Sequence, residues 1–185
     1  MQLLRAIGLT LLLCTACASS GPARTVLTGK VIKVIDADTI DVALSSGPIR
    51  VRLHAIDAPE RNQPWGKQST AALKQRVMGK QVDIEPFGQD RYDRMVGTVF
   101  LGDDDINAEL VRQGNAWVYR QYSGKADATL CADEQQARLA GKGLWSQSVK
   151  DQVAPWEWRK HPKAIPYTNY SHETTRHCVA SIGKK

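Results

Sequence analysis

Ile49-Arg-Val-Arg-Leu-His-Ala-Ile56 alternates apolar and polar side chains with a period of two. In a strand, this spacing separates an apolar face from a basic one, with Ile49, Val51 and Leu53 opposite Arg50, Arg52 and His54. Strands with one apolar face and one polar face are typical of antiparallel sheets that cover a core on one side. The stretch therefore predicts a strand in a β-rich domain.

Working outward, four more segments have strand character: Val26–Ile35, Thr39–Leu44, Lys80–Phe87 and Met95–Leu101. Three segments have a helical period and end at a glycine: Gly66–Met78, Ile106–Gln113 and Cys131–Ala140. In the first helix, the apolar stripe is expected to comprise Ala71, Ala72, Leu73, Val77 and Met78. The order βββαββαα predicts an α+β fold built on a five-stranded Greek-key barrel of the OB type, with three helices.

Residues 147–185 differ in character from the barrel segments, with Pro155, Pro162 and Pro166 and little periodicity. We interpret them as an irregular C-terminal extension, held down through Trp156 and Trp158. The domain itself is assigned to residues 24–146.

Residues 1–18 have a single charge, Arg5, and an apolar run too short to span a bilayer. They are interpreted as an export signal. Cys14-Thr15-Ala16-Cys17 resembles a bacterial lipobox, and Ala16-Cys17-Ala18 also fits an ordinary cleavage site. Lipidation at Cys17 is the preferred route. It predicts a periplasmic or outer-membrane-tethered lipoprotein, and the other route predicts a secreted protein.

Cleavage before Cys17 removes Cys14 and leaves Cys131 and Cys178 as the cysteines outside the lipid site. An exported protein is exposed to conditions that permit disulfides. The sequence leaves open whether these two cysteines pair or remain free thiols.

The formal net charge of +6 is compatible with a polyanionic partner but is weak support for one. The chain has no Ser-His-Asp arrangement, glycine-rich phosphate loop or paired CxxC sites. His172-Glu-Thr-Thr-Arg-His177 spaces its histidines five apart, so they would not share a helix face as in a zinc protease. Serine hydrolysis, nucleoside-triphosphate use and zinc chemistry therefore lack support.

Acidic residues concentrate at two predicted strand ends, in Asp36-Ala-Asp38-Thr39-Ile-Asp41 and Asp57-Ala-Pro59-Glu60. Converging carboxylates repel one another, and a divalent cation with oxygen ligands relieves that repulsion. Calcium tolerates irregular ligand cages better than magnesium. Asp38, Asp57 and the backbone carbonyl of Ala58 are the candidate ligands; the competing interpretation is that these acids only form turns.

Two arginines complement the acids: Arg52 on the polar face of the quoted strand, and Arg94 just before the last predicted strand. Guanidinium groups match phosphate geometry with two hydrogen bonds and stay charged at working pH. A cleft holding a cation, a carboxylate and two guanidinium groups has the groups that attack on a phosphodiester needs.

Four segments together resemble the thermonuclease, or staphylococcal-nuclease-like, family. They are Val34-Ile-Asp36-Ala-Asp38-Thr39, Arg52-Leu-His-Ala-Ile-Asp57-Ala-Pro59-Glu60, Asp90-Arg-Tyr-Asp-Arg94 and Asn107-Ala-Glu-Leu-Val-Arg-Gln-Gly114. The resemblance covers residues 26–146, and Pro155-Trp-Glu-Trp-Arg-Lys160 is similar to an ending seen in bacterial members.

The resemblance implies a role for each matching residue. Asp38, Asp57 and the Ala58 carbonyl would bind Ca²⁺, with Asp36 supporting them. Glu60 would orient or deprotonate the attacking water, and Arg52 and Arg94 would neutralise the phosphate.

The same resemblance implies the substrates, which are single-stranded or locally open DNA and RNA, cleaved to 3′-phosphates and 5′-hydroxyls by a monomer. Tyr92, Tyr122 and Arg91 fall on positions that line the nucleotide pocket, where an aromatic ring can stack on a base. Arg120 stands where the best-known member has a tyrosine, and the loop 61–65 is shorter than the corresponding loop of that member. The alternative function is an OB-fold module at the cell envelope that binds nucleic acid or protein without cleaving it.

Overall fold

A computed structural model describes residues 26–160 and 174–184. Its strands are β1 (Leu27–Asp36), β2 (Thr39–Leu44), β3 (Gly47–Leu53), β4 (Ile56–Asp57), β5 (Gln81–Gln89), β6 (Met95–Leu101), β7 (Asp104–Asp105) and β8 (Trp117–Val118). Its α-helices are α1 (Gly66–Val77), α2 (Ile106–Arg112), α3 (Ala128–Leu139), α4 (Pro155–Lys160) and α5 (Thr175–Ser181). Short 3₁₀ turns cover Arg120–Tyr122, Lys125–Asp127, Gly143–Ser146 and Val149–Asp151.

Five long strands form a closed barrel in the order β3-β2-β1-β5-β6. The neighbouring strands in this order are antiparallel, and the barrel closes through parallel pairing of β3 with β6, which places Val51 opposite Met95. The predicted five-stranded α+β fold of the OB type is therefore confirmed. The alternation of β3 carries through to burial, since Val51 and Leu53 are enclosed and Arg50 is exposed.

The barrel core consists of branched aliphatic side chains that are almost completely removed from solvent, including Val31, Ile40, Val51, Ile84 and Val99. Helix α1 contributes Leu73 and Val77 to this core. The predicted stripe on α1 was too wide, because Ala71 and Met78 are exposed. Met78 already lies past the last helical residue, and Gly79 follows it with a φ of 74°.

A second apolar cluster lies beside the barrel and is built on Trp117, Trp145 and Ala154, with Trp156 packed against it. Trp117 is fully buried and meets Trp145 edge to face, with ring centroids 4.5 Å apart. This cluster joins the segment after residue 147 to the barrel through β8.

The prediction of an irregular extension from residue 147 to 185 was wrong for the described part, which contains α4 and α5. These helices have six and seven residues, too few to show a hydrophobic period. Helix α5 is joined to α3 by a disulfide between Cys131 and Cys178, whose Cα atoms lie 5.7 Å apart. The predicted export signal with Cys17, and also His161 and His172, lie outside the described residues.

Over residues 26–160 and 174–184, no helix is long and apolar enough to cross a membrane.

Candidate active site

The predicted site residues converge on one cleft of about 710 Å³ at an end of the barrel. Its walls include Asp38, Arg52, Asp57, Glu60 and Arg94. They come from the β1–β2 turn, β3, β4 and the loop after it, and the β5–β6 turn. The barrel therefore brings together side chains that are up to 56 positions apart in the chain (94 minus 38).

A tight turn between β3 and β4 places Arg52 and Asp57 side by side. Ala55 adopts a left-handed conformation, with a φ of 60°, which reverses the chain between the two strands. Arg52 Nη1 donates to the carbonyls of Leu53 at 2.8 Å and Ile56 at 2.9 Å. Its Nη2 lies 3.1 Å from Asp57 Oδ1 and 3.1 Å from Asp38 Oδ2. One guanidinium thus bridges both candidate metal ligands.

The Asp38 carboxylate is held by the backbone as well as by Arg52. Its Oδ2 accepts a hydrogen bond from the Ala58 N–H at 2.9 Å, and its Oδ1 accepts one from Thr39 Oγ1 at 3.1 Å. Asp36 supports the turn, because its Oδ1 accepts the Asp38 N–H at 3.1 Å. Asp38 and Asp57 are both buried, so their carboxylates have little access to water, and their shared contact with Arg52 Nη2 holds them close together.

This burial has an electrostatic cost. Desolvation raises the pKa of Asp57 to about 6, although hydrogen bonds and charge from Arg159 and Arg52 act in the opposite direction. Desolvation, followed by the charge of Asp38, raises the pKa of Asp36 to about 6 as well. Each of these two carboxyls is therefore costly to ionise without additional positive charge nearby.

A cation with oxygen ligands would supply such positive charge. Within the described residues, no group of three or more His, Cys, Asp or Glu side chains is arranged to hold a metal. Asp38 and Asp57 offer carboxylate oxygens, which hard cations accept together with backbone and water oxygens.

Arg94 also lines the cleft and is paired with Asp90, its Nε lying 2.7 Å from Asp90 Oδ2. Hydrogen bonds from Arg94 and Tyr92 lower the pKa of Asp90, although its partial burial acts to raise it. The guanidinium carbons of Arg91 and Arg94 lie 4.8 and 5.4 Å from the centre of the Tyr92 ring. The cleft therefore has a cationic and aromatic group of side chains as well as its acidic ones.

The two tyrosines predicted to line the nucleotide pocket both lie on the cleft, and each is about 60% exposed, Tyr92 at 62% and Tyr122 at 61%. Arg120 does not replace a pocket tyrosine, because its side chain is buried and Nη2 lies 2.9 Å from Glu134 Oε1. His54, expected on a polar surface, instead stacks on Phe87 at 3.9 Å between ring centroids. Its Nε2 lies 3.1 Å from Asp127 Oδ2.

Sequence reasoning missed Arg159, which enters the cleft from α4. Its Nη2 lies 2.7 Å from Asp57 Oδ2, and its Nη1 lies 3.1 Å from Asp57 Oδ1 and 2.9 Å from Glu60 Oε1. The signal available in the sequence was the similarity of Pro155–Lys160 to an ending of bacterial members, but that similarity did not assign a role to Arg159.

The barrel and the cleft, with its paired carboxylates and surrounding guanidinium groups, define a hydrolytic nuclease. A family model described as "Staphylococcal nuclease homologue" matches residues 50–147. The chain belongs to this family.

Bacterial relatives agree with this assignment. An "Uncharacterized endonuclease" of Escherichia coli O157:H7 is 45% identical over 132 residues, which cover 71% of this chain and 84% of the relative. A "Micrococcal nuclease" of Shigella flexneri is 37% identical over 153 residues, covering 78% and 87% of the two chains. "Protein ParB" of Escherichia coli is 39% identical over 150 residues, covering 76% and 84%.

Proposed function

We propose that this nuclease is calcium-dependent, cleaves DNA and RNA with little sequence preference, and leaves 3′-phosphates and 5′-hydroxyls. The observation that carries the proposal is the meeting of Asp38, Asp57, Glu60 and Arg52 in the cleft that Arg94 also lines. A binding module needs positive charge and stacking surfaces, but it has no need of two buried carboxylates with an acid beside them.

The acidic side of the cleft would bind the cation. Asp38 and Asp57 would supply carboxylate oxygens and Ala58 its carbonyl, with Asp36 holding the Asp38 backbone in place. When bound, Ca²⁺ supplies positive charge that stabilises the phosphate as negative charge builds up on its oxygens.

Glu60 would act on the attacking water. Its carboxylate is 38% exposed and faces the cleft beside Asp57, so it can accept the proton of a water approaching the phosphorus. A new P–O bond forms from this water, and the bond between phosphorus and the 5′ oxygen breaks. The leaving oxygen gains a proton and becomes the 5′-hydroxyl, and the phosphate stays on the 3′ side.

Arg52 and Arg94 would stabilise the charge on the phosphate from two directions, since both guanidinium groups line the cleft. Arg94 would also support departure of the 5′ oxygen. Tyr92 and Tyr122 expose aromatic faces on which a base can stack whatever its identity, and this supports weak sequence preference, with Arg91 adding charge near the same site. Stacking on both rings needs unpaired bases, so single-stranded or locally open substrates are proposed.

Export is part of the proposal. Residues 1–18 have the composition of an export signal, and lipidation at Cys17 would tether a monomeric nuclease to the membrane. The Cys131–Cys178 disulfide suits an oxidising compartment.

The test is digestion of single-stranded DNA and RNA by the purified protein, with added Ca²⁺ or with a chelator, followed by analysis of the product ends. We expect cleavage of both substrates with Ca²⁺, no cleavage with chelator, and 3′-phosphate ends. Binding of oligonucleotides without cleavage at any calcium concentration would reject the proposal and favour the binding module.

A further inference from the structure

Arg159 joins two acidic residues that the proposed reaction uses. Its guanidinium spans both oxygens of Asp57 and also donates to Glu60, with contacts between 2.7 and 3.1 Å. The partners are 102 and 99 positions away in the chain. A planar guanidinium can hold two carboxylates in a fixed relative position because its donors are rigidly arranged.

The segment that carries Arg159 is anchored at two points to the loop that follows Asp57. Gln63 Nε2 donates to the Val153 carbonyl at 2.6 Å, just before α4. Trp158 Nε1 donates to Asn62 Oδ1 at 3.3 Å. The position of α4 is therefore tied to the loop that carries Glu60.

Aromatic packing fixes the other side of α4. The Trp156 ring is parallel to the Tyr119 ring, with centroids 5.6 Å apart, and meets Trp117 edge to face at 5.7 Å. Trp117 is buried and pairs with Asp57 in the β4–β8 ladder. Helix α4, which carries Arg159, thus packs against β8, the strand that pairs with Asp57 of β4.

Glu60 needs such a partner. Its backbone N–H is bonded to Gln63 Oε1 at 3.1 Å, but its side chain extends into a cleft where it is 38% exposed. A glutamate at such a position has several rotamers, and a base works only within hydrogen-bond reach of the proton it takes. The Arg159 contact selects one rotamer, in which the carboxylate lies next to Asp57.

We propose that Arg159 is a positioning residue of the nuclease reaction, acting through Glu60 by holding its carboxylate beside Asp57. This inference rests on the role proposed for Glu60. It makes helix α4 part of the active centre.

The test compares single-turnover and steady-state cleavage by the full-length mature protein carrying Arg159→Gln, Arg159→Lys, Glu60→Gln, or Arg159→Gln combined with Glu60→Gln. We expect Arg159→Gln to lower kcat roughly 10- to 100-fold with little change in KM, the range for loss of a partner that orients a functional group. The kcat of Arg159→Lys should lie between those of the wild type and Arg159→Gln, because an ammonium group cannot span both carboxylates. Lys160→Gln is the matched control, since Lys160 is on the same helix and pairs with Glu157 at 3.2 Å; it should cleave at the wild-type rate.

The double variant separates positioning from other effects. Because Arg159 acts through Glu60, its loss should slow the Glu60→Gln protein by less than twofold. Calcium affinity, measured by titration calorimetry, should not weaken in Arg159→Gln, since a cation that competes for Asp57 has been removed. If Arg159→Gln does not fold, the same comparison is made with Arg159→Lys in both backgrounds.

Three results would overturn the inference. A wild-type kcat in Arg159→Gln would show that the contact has no role in the reaction. An equal loss of activity on adding Arg159→Gln to the wild type and to Glu60→Gln would show that Arg159 acts on the substrate or the fold. Recovery of full activity by raised calcium would show that it acts through the metal. Wild-type activity in Glu60→Gln would be a different failure, because it would reject the proposed base itself.

Discussion

Arg52 and Asp57 form an enclosed ion pair, with Nη2 3.1 Å from Oδ1 and side chains that are 12% and 2% exposed. Arg52 is more than a candidate phosphate-binding residue. Its other terminal nitrogen, Nη1, donates hydrogen bonds to two backbone carbonyls of the β3–β4 turn. The geometry of the turn and the charge of the cleft therefore depend on the same side chain. Removing one partner of a buried pair leaves an uncompensated charge in the fold.

We expect Arg52→Lys to lower the free energy of unfolding by about 1–3 kcal/mol as well as to reduce cleavage, because one ammonium group cannot bond two carbonyls and two carboxylates. Urea denaturation measures the first effect. Arg50→Lys is the control on the same strand, since Arg50 pairs with Asp41 at an exposed site and should cost less than about 1 kcal/mol. Equal destabilisation by the two variants would contradict this account of Arg52.

Gly114 allows the chain that follows helix α2 to pack against the loop after α3. It has a φ of +70°, and a Cβ added there would lie 2.2 Å from the Lys142 carbonyl oxygen. We expect Gly114→Ala to destabilise the protein by more than about 2 kcal/mol, because strain and a backbone clash add. Gly102→Ala, with a φ of +63° and nothing within 4 Å, should cost about 1 kcal/mol in the same urea experiment. Similar costs for the two alanines would show that the contact at Gly114 relaxes freely.

The disulfide ties α5 to α3 across a sequence separation of 47 residues. Its loss frees the unfolded chain, and we expect Cys178→Ser to lower the free energy of unfolding by about 2–4 kcal/mol. Urea denaturation of the wild type with and without a reductant checks the size of this effect, and the reductant should not alter Cys178→Ser. Resistance of the wild-type midpoint to complete reduction would refute the prediction.

Asp127, which lies outside the acidic cluster of the cleft, makes a pH-dependent contribution to the free energy of unfolding. Burial acts to raise its pKa, but hydrogen bonds with His54 and the Gly124 N–H hold the pKa of Asp127 below its ordinary value. A carboxyl whose pKa is lowered on folding stabilises the protein above its unfolded pKa, and loses that contribution as the pH falls through its folded pKa.

We therefore expect Asp127→Asn to cost about 1–2 kcal/mol at pH 5, with the difference from wild type shrinking as the pH is lowered below about 4. Denaturant unfolding of both proteins from pH 5 to pH 2.5 gives the comparison. A difference that stays constant over this range would mean that ionised Asp127 contributes nothing.

The barrel was predictable because its strands have two distinct faces. The alternation in β3 specified which side of that strand is enclosed, and β2 was predicted with the observed bounds, Thr39–Leu44. Helix α4 was not predictable, because its six residues are too few for a period and its stability comes from Trp156 packing on Trp117 and Tyr119. Such contacts depend on tertiary structure, which local propensity does not encode.

The same distinction applies to the site. Asp38, Arg52, Asp57 and Glu60 lie at strand ends and on a polar strand face, where the topology brings them together, so the four motifs indicated the cleft. Arg159 lies far along the chain in a short segment that resembles an ending of bacterial members, but no spacing rule connects it with Asp57. The burial of Arg120 against Glu134 was also not predictable from sequence, because that pairing follows from the packing of α3 on β8.

The most direct test of the central claim is the rate of calcium-dependent cleavage of single-stranded DNA by Glu60→Gln, with calcium affinity measured on the same preparation. Glutamine keeps the size of the side chain but cannot take a proton. We expect cleavage to fall by a factor of about 100 or more while calcium still binds. Cleavage at the wild-type rate by a calcium-loaded Glu60→Gln protein would contradict that expectation.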